Sequence, residues 1–168
     1  LTANRGGSTD PVMPQAINPD DLGAKFKTHA PGIKILQDTR PDVFYPTRGH
    51  TLQIVADFFE ATRTNARLGE QGLRYQSYQL SYDHYLSLTA TQVLAFRGMI
   101  CAVDGDPPFY ELCLFGIRSD IRGYEPGRYR DRLMLATQGE YRKTLGRHFG
   151  FVLFGGVGEV AKTWDSFN

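Results

Sequence analysis

The chain has 168 residues, 41% of them hydrophobic and 22% charged, with a formal net charge of +1. This length suits about one domain, and the even charge balance provides no field that would select nucleic acid. No stretch approaches the roughly 18 continuous apolar residues of a membrane helix, which leaves room for a barrel, whose alternating strands average out as mildly polar.

Residues 1–32 are rich in Gly, Pro, Asn and Asp, as in Gly6-Gly7-Ser8-Thr9-Asp10-Pro11. They read as a long loop or the end of a preceding barrel segment. Leu1-Thr2-Ala3-Asn4-Arg5 has neither an initiator Met nor the apolar core of a signal peptide, and the expectation is a segment of a longer protein. Strand-like order starts at Ile33 and Ile35. Pro and Gly then bracket a tight turn through Asp38-Thr39-Arg40 and Tyr45-Pro46-Thr47-Arg48-Gly49.

A strand is expected from Thr51 to Phe59. Leu52, Ile54, Ala56 and Phe58 share one face and Thr51, Gln53 and Asp57 the other, with Val55 and Phe59 breaking the pattern on the polar side. Residues 60–71 are polar and read as a loop. The longest alternating run covers 73–88, with Tyr78, Leu80 and Tyr82 opposed to Ser77, Gln79, Ser81 and Asp83. In 91–103, Leu94, Phe96 and Ile100 oppose Arg97. Residues 104–130 form a long Gly-, Pro- and Arg-rich loop that holds Ile121-Arg122-Gly123-Tyr124. In 131–142, Leu133, Leu135 and Tyr141 oppose Arg132, Gln138, Glu140 and Arg142. In 148–158, Phe149, Phe151, Leu153 and Val157 oppose Gly150, Val152, Phe154, Gly156 and Gly158. Residues 161–168 read as a loop.

These are about six strands of roughly 9–13 residues, where globular strands average about 5–6 and membrane-crossing strands need about 9–11. The predicted fold class is therefore all-β: an antiparallel transmembrane β-barrel segment with a long loop folded into its polar side. Six strands fall short of the minimum of about eight in a closed membrane barrel, so the segment belongs to a larger one. Cys101 and Cys113 lack a C-x-x-C spacing, and His29, His50, His84 and His148 are scattered, which argues against zinc. The two cysteines are expected as free thiols, with pairing in an oxidising compartment as the alternative, since both sit near the start of the same loop.

The ordered set Asp38-Thr39-Arg40, Tyr45-Pro46-Thr47-Arg48-Gly49, Pro108-Phe109-Tyr110-Glu111, Gly116, Ile121-Arg122-Gly123-Tyr124 and Gly139-Glu140-Tyr141-Arg142 resembles the C-terminal barrel of the BamA/TamA superfamily, the bacterial surface antigen family of outer-membrane assembly and transport proteins. The resemblance covers about residues 33–160. It implies a sixteen-stranded barrel of which this chain supplies roughly the eighth through thirteenth strands. It also implies that Arg122, flanked by Gly123 and Tyr124, is the tip of a loop folded into the lumen, and that Glu140 on the wall receives it. Pro46, Gly49, Gly116, Gly156 and Gly158 would shape turns and make room for the loop.

The chain departs from the family pattern in two places. Ile117 follows Gly116 where a second Gly is usual, and Gly156 stands where the family places an Asp as a further partner of the loop arginine. The implied location is the bacterial outer membrane, with membrane lipid, client polypeptides and accessory assembly proteins as partners and no cofactor. The implied work is insertion or translocation of polypeptides. A passive outer-membrane pore and a soluble ligand-binding β-barrel share the alternation and stand as alternatives.

An enzyme is not expected. Ser81, Asp83 and His84 lie close in sequence, but Asp83 and His84 point to opposite faces of a strand. No G-x-S-x-G elbow is present. Gly155-Gly156-Val157-Gly158 has no lysine where a phosphate loop needs one.

Overall fold

The computed structural model describes residues 25–65, 69–114, 121–122 and 128–167. The described residues are all-β and antiparallel, with no α-helix among them. Strands β1 (Lys25–His29) and β2 (Gly32–Asp38) lie end to end along β3 (Gly49–Asn65). Pro31 separates them. It has no N–H to give to the ladder, yet its carbonyl accepts from the Phe58 N–H at 2.9 Å. The sheet continues through β4 (Gly69–Thr89), β5 (Gln92–Gly105), β8 (Leu133–Leu145) and β9 (Phe149–Ala161), each pairing with the strand before it in that order. Among the described residues the sheet does not close: β1 and β2 form one edge and β9 the other.

Between β5 and β8 the chain forms a 3₁₀ turn at Phe109–Glu111 and a separate two-stranded ribbon, β6 (Cys113–Leu114) with β7 (Arg130–Asp131). The Val103 N–H donates to the Arg132 carbonyl, and Arg132 Nη1 donates to the Gly105 carbonyl at 2.9 Å. Both bonds tie the returning limb of the loop to the end of β5.

Two expectations are corrected. Residues 60–65 and 69–71, expected as loop, are strand: β3 runs on to Asn65 and β4 begins at Gly69, with Glu60 opposite Arg74 and Ala61 opposite Leu73. Their polarity marks the end of the apolar face, and Thr62 and Thr64 retain strand-favouring shapes. Lys25–His29 is a strand within the region read as loop; five residues with a single large apolar side chain leave too little periodicity to see. The predicted C-terminal loop contains a short 3₁₀ turn at Trp164–Ser166.

The two faces of the sheet differ in chemistry. One face presents Ile54 and Phe58 of β3, Tyr78, Leu80, Tyr82 and Leu86 of β4, and Leu94 and Phe96 of β5. It continues over Leu135 of β8 and over Phe149, Phe151, Leu153 and Val157 of β9, and all of these are exposed. Phe149 is 77% exposed and Val157 69%. The apolar run on β4 spans roughly nine residues, the length that crosses a bilayer, and it gives way to Gln76 and Arg74.

The opposite face carries Asp83, Arg97, Gln138, Glu140 and Arg142 and is covered around Gln138, 7% exposed, and Glu140, 6%, while Val152 and Phe154 of β9 on the same face are exposed. At the loop end of this face lies a small core. Tyr75, Cys101, Val103, Cys113, Ile121, Met134 and Ala136 cluster there, with Phe59, Met99 and Val160 packed against them. Phe59 stacks on Tyr75 with ring centroids 4.4 Å apart. Phe59 breaks the polar pattern of its strand because the loop needs an apolar seat at that point.

Candidate functional site

The site is the seat of the long loop on β8 and β9. Strand register places Gln138 opposite Gly156 and Glu140 opposite Phe154. Directly paired residues share a face, so these four form one patch. Ile121 is buried against it. The Arg122 N–H donates to Gln138 Oε1 at 2.8 Å, Arg122 Nη2 lies 3.1 Å from Glu140 Oε2, and the guanidinium sits over the Phe154 ring, 5.4 Å from its centroid. The patch thus holds the tip by backbone, by charge and by ring. Arginine suits it because its planar fork donates to a carboxylate while its face lies on an aromatic.

Gly156 makes room. A Cβ built there would lie 2.8 Å from the Thr137 carbonyl oxygen and 3.3 Å from Ile121 Cγ2. The Asp that the family pattern places here would need both neighbours to move. Gly156→Ala is therefore expected to lower stability by about 1–2 kcal/mol through overpacking. The urea midpoint of the full-length protein checks this, and an unchanged midpoint would contradict the tight seat.

Glu140 has a second cationic partner. Its Oε1 accepts from Arg142 Nε. Arg142 lies between two rings, with its guanidinium carbon 5.4 Å from the Tyr45 centroid and 5.6 Å from that of Tyr85. Arg142 Nη1 approaches the Pro46 carbonyl at 3.4 Å. A further pair on the same face joins Arg97 to Asp83.

The turn at residues 39–48 is tied at several points. Arg40 donates from Nε and Nη2 to the two oxygens of Asp38, at 2.9 and 2.6 Å. This bond raises the Arg40 pKa above its ordinary value. Thr39 Oγ1 accepts from the His50 N–H at 2.9 Å, and Ser87 Oγ donates to the Thr47 carbonyl at 2.9 Å. Gly49 has φ +93°, and a Cβ there would lie 2.7 Å from the Thr39 carbonyl oxygen. Glycine is needed here for both reasons. Pro46 is buried.

Of the residues singled out from sequence, Arg122, Glu140 and Gly156 come together at the loop seat. Pro46 and Gly49 lie in the turn. Gly158 stands opposite Ala136 in the ladder, beyond the seat. Gly116, Gly123 and Tyr124 lie outside the described residues.

The expected free thiols are corrected: Cys101 and Cys113 form a disulfide. It joins β5 to the base of the loop and is buried in the small core. Twelve residues apart in sequence, the two cysteines show no metal-type spacing, and their shared place near the start of the loop left pairing as the alternative. Only the fold of the loop back onto β5 brings them into reach. Sequence reasoning placed Gln138 and Arg142 on the polar face but assigned them no role, and it missed the Phe154 contact. Their shared parity with Glu140 was the available signal. Comparison with family models, curated proteins and solved structures finds no match.

Proposed function

We propose that this chain is a segment of an outer-membrane β-barrel that acts in the insertion or translocation of polypeptides at the bacterial outer membrane. One observation carries the reading: the sheet leaves its apolar face open across five strands and seats Ile121 and Arg122 of the long loop on its charged face. A water-soluble sheet does the reverse, because exposing aliphatic and aromatic side chains over several strands forfeits about 25 cal/mol for each Å² that could be buried. In a bilayer the apolar face meets lipid, and the polar face becomes the lining of a lumen.

The loop tip held by Glu140, Gln138 and Phe154 agrees with the part that the resemblance to the bacterial surface antigen family assigns to Arg122 and Glu140. The buried disulfide is at home in an oxidising compartment such as the bacterial cell envelope. In this reading the machinery is structural. A rigid wall and an anchored lumen loop present a path or an edge to client strands, and no cofactor takes part.

The test is fractionation of cells expressing the full-length parent protein, followed by comparison of heated and unheated membrane samples on a detergent gel. A membrane-bound species whose mobility shifts on heating is expected. A soluble species with no shift would sink the reading and leave a soluble ligand-binding β-barrel.

A further inference from the structure

The loop tip and the turn at residues 39–48 reach the covered face from opposite ends of the strands. The loop leaves from the Gly105 end of β5 and returns at the Leu133 end of β8, whereas the turn leads into Gly49 at the start of β3, opposite Tyr85. Both meet at one carboxylate. Glu140 Oε2 holds Arg122, and Oε1 holds Arg142. Arg142 in turn carries the turn through the Tyr45 ring and the Pro46 carbonyl, which is 96 residues away in sequence.

We infer that Glu140 couples the two ends of the segment, because Arg122 and Arg142 share its two oxygens. While Arg122 occupies Oε2, Arg142 has only Oε1 and directs Nη1 to Pro46. When the loop tip leaves, Oε2 is open to Arg142. A carboxylate accepting two parallel N–H bonds from one guanidinium is the stronger arrangement. Closing that fork draws the guanidinium toward Glu140 and away from Tyr45 and Pro46, and the turn loosens. The converse follows from linkage: a turn that releases Arg142 frees it to compete for Oε2 and weaken the hold on Arg122. The loop and the turn are thus released together. This coupling is a property of the covered face and stands apart from the membrane assignment, so the two can fail separately.

The experiment is limited trypsin digestion of the purified, folded full-length protein, following cleavage after Arg48 in the turn and after Arg128 in the loop. Both residues are exposed, and cleavage requires the local segment to open, so its rate tracks the open population. Arg122→Gln is expected to raise cleavage after Arg48 at least about fivefold, the lower range of measured site-to-site couplings. Tyr45→Ala is expected to raise cleavage after Arg128 by a comparable factor. In an Arg142→Met background, Arg122→Gln is expected to add nothing at Arg48. Purely local loosening would confine the Arg122→Gln effect to Arg128 and the Tyr45→Ala effect to Arg48, and either pattern would overturn the coupling. An Arg122→Gln effect at Arg48 that survives Arg142→Met would overturn the assignment to Arg142. Should Arg122→Gln fail to fold, Arg122→Met, which vacates Oε2 and keeps an apolar stem beside Phe154, is read in the same way.

Discussion

Glu140→Ala is expected to cost about 3–5 kcal/mol of stability, the range found when one partner of a buried ion pair is removed. Glu140 is buried, and it faces one well-covered guanidinium and one half-exposed one, with side-chain exposures of 15% for Arg142 and 49% for Arg122. Truncation leaves Arg142 without a carboxylate on a covered face. Its rings from Tyr45 and Tyr85 offset only part of that charge. Arg122 can turn to water, so most of the loss comes from Arg142. Glu140→Gln keeps an acceptor oxygen and gives up the charge, and it is expected to fall between wild type and alanine. The urea midpoint for loss of the folded gel mobility measures all three. Alanine and glutamine variants both within error of wild type would show that the pairing with Arg122 and Arg142 contributes nothing in solution.

The two faces were legible from sequence because alternation survives wherever the chain is extended. Tyr78, Leu80 and Tyr82 against Ser77, Gln79, Ser81 and Asp83 place one face and the other without any knowledge of neighbours. The same parity put Gln138, Glu140 and Arg142 together, and the structure brings them to one patch. Strand ends were harder to read. Residues 60–65 and 69–71 lose apolar character while they remain extended, so a pattern keyed to hydrophobicity stops too soon.

The links across the sheet left no local trace. Cys101 meets Cys113, and Arg142 meets Tyr45 and Pro46, only after the loop and the turn have folded onto the covered face. Nor does alternation say which face is open. The covering of the polar face by Ile121, Arg122 and the Tyr45-Pro46 turn distinguishes the two, and no periodicity encodes it.

That distinction is open to direct test on the apolar face. Leu80 lies midway along β4, between Ile54 of β3 and Ile100 of β5 in the ladder, and is 37% exposed. Leu80→Arg in a lipid bilayer is expected to destabilise the folded protein by about 2–4 kcal/mol, the cost of an arginine on the lipid face near the midplane. Gln76→Arg, on the same face and strand but at the polar margin beside Arg74, is expected to cost about 0–1 kcal/mol. Both sites are partly open to the surroundings, and Gln76→Arg gives up only an exposed acceptor of the Tyr78 hydroxyl, so a large gap between the variants reports the medium. Reversible folding into lipid vesicles, followed by the heated-versus-unheated mobility shift across a denaturant series, gives both values. If water covers this face, Leu80→Arg is an ordinary surface change within about 0.5 kcal/mol of wild type, and the two variants become indistinguishable. A steep dependence on position along β4 has no source in a uniform solvent, whereas a hydrocarbon layer roughly nine strand residues deep produces it directly.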